Sequence, residues 1–259
     1  MDVSVIIPTY NEEKYLPYLL KSLRKQTKKP NEIIIADHNS TDSTLVIIKK
    51  YSKILPIKKT QGELPAKARN HGALKSTVGD NDLLFFFDAD VVLEKDFIEK
   101  FTNELERRKL DCATCFNIPF YRLGEMGYSN FMIRLTDNIT YFVHNRGLIM
   151  SNIINFQFAT ATCIAIKKKY FRKLKGFNTS LKMFEDADFV RRAAKICRYG
   201  VVRDAHVLIS TRRFDRYGHV LFALKMGCCG VLTLFFHKFL KYGYFQFDYF
   251  KKEVFHRKK

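Results

Sequence analysis

The run Leu83-Leu84-Phe85-Phe86-Phe87, bounded by Asp82 and Asp88, constrains the fold more than any other segment. Five consecutive apolar residues leave no polar face, so the segment suits a strand covered on both sides. Sheets built from such strands are flanked by helices on both faces. The run also stops abruptly at the acidic triplet Asp88-Ala89-Asp90.

The rest of the N-terminal half supplies the alternation that such a sheet needs. Val3 to Ile7 is a β-branched run closed by Pro8. Asn11 is expected to cap a helix with Tyr15, Leu16, Leu19, Leu20 and Leu23 at three- and four-residue spacing. Ile33 to Ala36 reads as a second strand ending at Asp37, and Ser40-Thr41-Asp42 opens a helix through Leu45, Ile48 and Lys49. A weaker strand is expected over Ile54 to Thr60, then a helix from Pro65, since proline suits a first turn. Lys95 to Arg108 carries Phe97, Ile98, Phe101 and Leu105 on one helical face. This is an α/β class with a Rossmann-like, mostly parallel central sheet.

Beyond residue 110 the rhythm changes. Cys112 to Tyr121, Thr162 to Lys167 and Val201 to Ile209 read as strands, Glu185 to Ile196 as a helix, and the aromatic-rich stretch Met126 to Met150 takes no clear pattern. The expected organisation is a nucleotide lobe over 1–110, an acceptor lobe over 111–210 of the same domain, and a helical, basic, amphipathic C-terminal segment over 211–259. Met226 to Phe236 is apolar but too short to span a bilayer, and its basic flanks suit an interfacial element.

Charge narrows the partners. Lys and Arg outnumber Asp and Glu by 45 to 26, a net +19 that concentrates polyanions: nucleic acid, anionic lipid or phosphorylated substrates. No zinc-finger spacing, RNA-recognition signature or basic-region heptad accompanies it, so nucleic acid is set aside. Cys112 and Cys115 have a metal-like spacing but no second pair, and read as packing residues. The opening residues lack a signal-peptide pattern. Together these point to a reduced, cytoplasmic protein, peripheral on the cytoplasmic membrane face.

Open α/β sheets bind ligands beyond the carboxyl ends of their strands, where Pro8-Thr9-Tyr10-Asn11-Glu12, Asp37 and Asp88-Ala89-Asp90 all fall. Asp37 can accept the N–H of a uracil or guanine ring, or a ribose hydroxyl. Backbone N–H groups after Asn11 are expected to serve the same pocket. Asp88 and Asp90 are hard oxygen ligands suited to Mg²⁺ or Mn²⁺, which keep positions open for phosphate oxygens. Glu185-Asp186 opens a helix, where the dipole alone would favour acids, yet one of the pair can act as a general base while the other orients or contacts the acceptor. Arg212-Arg213 can reach a diphosphate or an anionic acceptor.

These residues resemble the inverting family 2 glycosyltransferases of the GT-A fold. Val3 to Glu12 looks like their opening strand and loop, Ala36 to Asp42 like their second nucleotide loop, and Ala68-Arg69-Asn70-His71-Gly72-Ala73 is similar to the helix before their metal site. Asp88-Ala89-Asp90 matches their metal (DXD) motif, Gly176-Phe177-Asn178 an acceptor-side turn, and Glu185 to Asp188 the catalytic-base motif. The resemblance implies that Thr9, Tyr10, Glu12 and Asp37 bind base and ribose, with Pro8 and Ala89 on the nucleotide side. It places Lys67 and Arg69 near the diphosphate, gives Asp88 to ribose and metal, Asp90 to metal, and makes Asp186 the base. His38 stands where the family usually has a second acid or a similar polar residue, and the Gln-x-x-Arg-Trp motif of processive synthases is absent, since the chain has no Trp.

The expected activity is therefore transfer of one sugar from a UDP- or GDP-linked donor to a hydroxyl or phosphate acceptor, including a polyprenyl-linked one at an anionic membrane surface. Two alternatives stand beside it. A catalytically silent sugar-nucleotide binding module would keep the metal site without transfer. A sugar nucleotidylyltransferase should carry a Gly-rich loop after strand one, where this chain has Pro8-Thr9-Tyr10-Asn11.

Overall fold

The computed structural model describes residues 1–55, 57–61, 65–120, 131–153, 162–181, 184–212, 218–219 and 224. Within them one eight-stranded sheet is built from β1 (Val3–Thr9), β2 (Glu32–Asp37), β3 (Ile57–Gln61), β4 (Leu83–Phe87), β5 (Val91–Leu93), β6 (Cys112–Phe120), β7 (Cys163–Lys167) and β8 (Tyr199–Ser210). Its order is β3-β2-β1-β4-β7-β6-β8-β5. The four pairings β1–β2, β1–β4, β2–β3 and β6–β8 are parallel, whereas β7 runs against both its neighbours and β5 against β8. The sheet is thus mixed, parallel from β3 through β4.

Alternation along each central strand feeds two cores. Val5, Ile7, Ile35, Phe85 and Phe87 pack with α1 (Leu16–Arg24), α2 (Thr44–Tyr51) and α4 (Phe97–Arg107). Ile6, Ile34, Leu84 and Phe86 face the other way, onto α3 (Pro65–Leu74), α6 (Lys168–Lys173) and α7 (Glu185–Ala194). Every residue of β4 is buried, as its unbroken apolar run requires. α3 comes so near β1 that a Cβ on Gly72 would lie 2.5 Å from Ile6 Cγ2, which explains a glycine inside a helix.

Several boundaries differ from the sequence reading for identifiable reasons. Asn11 does not cap α1: it takes a left-handed φ of 54°, which asparagine tolerates, and its side chain accepts the Thr41 N–H at 2.8 Å. The helix begins at Leu16 instead, with Pro17 in its first turn, where the missing N–H costs nothing. α2 likewise starts only at Thr44, whose N–H donates to Asp42 Oδ1. Ile54 and Leu55 are not part of β3, because their N–H groups close a turn onto the Tyr51 carbonyl at the end of α2. The part of the unpatterned stretch that is described belongs to α5 (Phe131–Ile153), which packs on β6 and β8. The C-terminal segment over 211–259 lies almost wholly outside the described residues.

Candidate active site

Two arginines organise the C-terminal edge of the sheet. Arg69, on α3, is almost fully buried and forks between Asp88 Oδ1 and Glu185 Oε1, both at 2.7 Å. Its plane also lies over the Phe177 ring, 5.5 Å from the centroid. Burial alone would lower the Arg69 pKa, but the carboxylates of Asp88, Glu185 and Asp186 reverse this and raise it. The charge of Arg69 is therefore fixed, and the acid after β4 is tied to the acid that starts α7.

Arg212, two residues past β8, makes the second clamp. Its Nη1 and Nη2 donate to the two oxygens of Glu12 at 2.8 and 2.6 Å, while Nε lies 3.1 Å from Asp90 Oδ2. Tyr15 covers the guanidinium at 4.8 Å. Here too burial opposes the charge, and Asp90 and Glu12 raise the pKa. The short strand β5 makes this meeting possible: pairing Val91 with Ile209, and the Ser210 N–H to the Asp90 carbonyl, brings the end of β8 beside the acidic triplet.

The loops after β1 and β2 are cross-tied. Asp37 is buried and accepts Thr9 Oγ1 at 3.1 Å, Ser40 Oγ at 2.6 Å and the Ser40 N–H at 3.1 Å. The backbone N–H groups of Asn11, Glu12 and Glu13 donate to Ser40 Oγ, Thr44 Oγ1 and Asp42 Oδ2. This corrects the expectation that those amides serve a ligand: they hold one loop to the other. The rings of Tyr10 and His38 sit 5.3 Å apart at the tips of the two loops.

Glu185, Asp186 and Asp188 fill the first turn of α7, where the helix dipole favours them. The helix is aimed by its surroundings. Arg192 bonds Asp188 and the carbonyls of Leu174 and Gly176, and Asn70 clamps Phe177 through both its amide atoms at 2.8 and 2.9 Å. Gly176 has a φ of 75°, and a Cβ there would run into Asn70. Phe177 stacks on Phe189 of α7 with centroids 4.1 Å apart. Asn70 is the positioning residue that sequence reasoning quoted only as part of a motif.

Two ion-pair chains thus end on the acidic triplet, one from Glu12 through Arg212 to Asp90 and the other from Glu185 through Arg69 to Asp88. Asp37 joins through Thr9 and the loop that carries Glu12. Asp186 adjoins the cluster, close enough to act on Arg69. Pro8 pairs with Ala36 near the end of β1, Ala89 is buried between the two acids, and Lys67 stands two residues before Arg69 on α3. Arg213 lies outside the described residues.

Asp88 and Asp90 fit a hard divalent cation. Mg²⁺ in particular binds through one or two carboxylates plus substrate phosphates. Both carboxylates bond to guanidinium cations, so the positions favour positive charge. Among the described residues no three His, Cys, Asp or Glu side chains gather around one point. The cysteines Cys112, Cys115 and Cys163 are buried and not in disulfides, with burial raising the thiol pKa of Cys112 and Cys163 far above its usual range.

A mixed sheet between two helical layers, with acids strung along the C-terminal edge of its parallel strands, defines a GT-A-type α/β protein. Comparison with known proteins agrees: residues 4–175 match the model of glycosyl transferase family 2, and the chain belongs to that family. An uncharacterized glycosyltransferase of Haemophilus influenzae is 30% identical over 198 residues, covering 73% of this chain and 60% of the relative. The poly(ribitol-phosphate) β-N-acetylglucosaminyltransferase TarS of Staphylococcus aureus is 42% identical over 105 residues, 38% of this chain and 18% of the relative. The chain spans less than two thirds of the length of either. Among solved structures, S. aureus TarS 1–349 in complex with UDP-GlcNAc superposes with a TM-score of 0.61 at 26% identity, over 81% of this chain and 58% of that one. The Pyrobaculum calidifontis mannosyltransferase PcManGT, in complex with GDP-Man and Mn²⁺, shares the fold with a TM-score of 0.62 at 18% identity, over 87% and 64%.

Proposed function

We propose that this chain transfers a single sugar from a nucleotide diphosphate sugar, UDP- or GDP-linked, to a hydroxyl or phosphate acceptor, with inversion at the anomeric carbon. The observation that carries the reading is the Arg69 fork, which joins Asp88 of the nucleotide half to Glu185, 116 residues after Arg69, beside Asp186. One cation thereby links the acid assigned to the donor with the acid assigned to the acceptor.

In this reading Asp37, Thr9 and Tyr10 receive the base and ribose, and Pro8 and Ala89 shape the backbone beside them. Asp88 and Asp90 are the residues that would hold Mg²⁺ or Mn²⁺, which when bound would neutralise the charge gathering on the departing diphosphate. Arg212 stands next to Asp90 and supplies fixed positive charge on the same side. Asp186 takes the proton of the acceptor hydroxyl as its oxygen bonds to the anomeric carbon and the bond to the diphosphate breaks. Glu185, pinned by Arg69, orients the acceptor. Attack from the face opposite the leaving group gives the inverted product. The net positive charge supports an acceptor carried on a lipid at an anionic membrane.

The test is a thermal-shift panel of nucleotide diphosphates and sugar nucleotides with and without Mn²⁺, followed by transfer assays on the responding donor. Stabilisation by one nucleotide that requires metal supports the reading. Full transfer by Asp186→Asn would contradict it.

A further inference from the structure

α5 is built inside out. Its inner side carries Asp137, His144 and Asn145 beside the buried Tyr141 and Leu148, and these three polar side chains meet polar partners, His144 and Asn145 at Asn117 of β6. Asp137 Oδ1 lies 2.7 Å from His219 Nδ1, and Asn145 exchanges two hydrogen bonds with the Asn117 backbone at 2.8 and 3.0 Å. Most exposed side chains of α5 are apolar, with Arg134, Asn138 and Arg146 standing among them. Leu135, Ile139, Phe142, Val143, Met150 and Ile153 are all exposed, from 42% at Leu135 to 64% at Ile153. At about 100° per residue they fall within an arc of roughly 100° opposite the buried side, an arc that also holds Arg146. A helix of a protein surrounded only by water presents the reverse pattern.

The charge around this stripe indicates what covers it. Arg134 and Arg146 are exposed on the outer side, the Arg146 guanidinium lying over the Phe142 ring at 4.9 Å. The helix carries no acid but Asp137, which is fully buried. An arginine whose stem follows apolar surface while its head reaches outward is suited to a lipid interface. The chain as a whole is +19, which repels a second copy of itself and attracts an anionic surface. The helix is not apolar enough to cross a membrane.

We infer that α5 is a membrane-docking helix, lying in the plane of an anionic bilayer with Ile139, Phe142 and Met150 towards the acyl chains, Arg146 reaching back along Phe142 to the headgroups and Arg134 on the flank. This names the surface by which the lipid-borne acceptor of the proposed function would be met. It rests on that reading only for its purpose, since bilayer binding is measured without any nucleotide.

The chain has no tryptophan, so Phe142→Trp gives a single reporter in it. With vesicles of phosphatidylcholine and phosphatidylglycerol, its indole emission is expected to shift to the blue and to be quenched by brominated acyl chains, whereas phosphatidylcholine alone gives little change. The double variant Ile139→Glu, Met150→Glu, folded by circular dichroism, should float with anionic vesicles at least tenfold less than wild type. Indole emission of the Phe142→Trp variant unchanged by vesicles overturns the inference, whether because the stripe is covered by the chain's own C-terminal residues or by a second copy. Equal flotation of the double variant overturns it as well, by assigning binding to basic residues elsewhere. A failed transfer assay with intact flotation would count against the enzymatic reading alone.

Discussion

The two ends of the same strands treat buried carboxylates in opposite ways. At the N-terminal end, Glu32 of β2 is surrounded by donors: Lys58 Nζ at 2.5 Å, Ser76 Oγ at 2.7 Å, and the N–H and Oγ1 of Thr77, both at 2.8 Å. Burial would raise its pKa, but these partners bring it down to about 2. At the C-terminal end, Glu12, Asp88, Asp90 and Glu185 share two guanidinium groups. A carboxylate satisfied on every side ties elements together. Acids that outnumber their cations can take up another cation with its ligand.

The contrast is sharpest in variants of the C-terminal end. Asp90→Asn and Asp186→Asn should each lower transfer about a thousandfold, the scale of a lost metal ligand or general base, while melting within a few degrees of wild type. Turnover and melting measured on the same preparations check this. If both variants melt normally and still transfer, the ligand edge has been misplaced.

Arg69→Met should cost about 3 kcal/mol of stability, because it leaves Asp88 and Glu185 partly buried without their shared cation. Denaturant unfolding measures it. Added Mn²⁺ with nucleotide is expected to restore part of the loss, since the new cation meets the same acids. No comparable rescue is expected at Glu32.

Glu32→Gln should cost about 2 kcal/mol and leave nucleotide affinity unchanged, because the charge-assisted bonds it removes lie at the other end of the strands. Its pH dependence has a defined sign. The folded-state pKa is depressed from 4.5 to about 2, so the stabilisation is complete above 4.5 and is lost as the pH falls towards 2. Unfolding free energies of wild type and Glu32→Gln should converge over that window.

The smallest effect belongs to His144 on α5, whose pKa burial lowers from 6.5 to about 4. The folded protein favours the neutral ring, so the stability it supports is complete above pH 6.5 and is lost as pH falls towards 4. Wild type should lose on the order of 1 kcal/mol more than His144→Gln between about pH 7 and pH 5. Parallel melting curves at the two pH values would place the ring in water.

Much of this was legible in the sequence because the local signals were strong. β4 could be read to the residue, since five apolar side chains between two acids admit no other burial, and Asp88 and Asp90 follow directly from where it ends. Asp37 and the start of α7 were readable for the same reason. β5 escaped notice because three residues carry no period, yet it sets Asp90 beside Arg212. α5 escaped because apolar and polar residues occur on both of its sides, with Leu148 buried on the side of Asp137 and Arg146 exposed among Ile139, Phe142 and Val143, so no single buried stripe marks it. Asn11 offered a capping residue in the right place, but pairing with the neighbouring loop outweighed the local preference. The two arginine forks join residues 19 to 200 positions apart, which only the assembled sheet can reveal.

The central claim is that the acids beyond β1, β2 and β4 form one site for a cation and a nucleotide diphosphate. Calorimetric titration of UDP and of GDP into wild type and Asp90→Asn, each with and without Mn²⁺, tests it directly. One nucleotide should bind wild type with Mn²⁺ at least tenfold more tightly than without it, and the metal should make little difference to Asp90→Asn. Equal affinity under all four conditions, or no binding of either nucleotide, would contradict the claim.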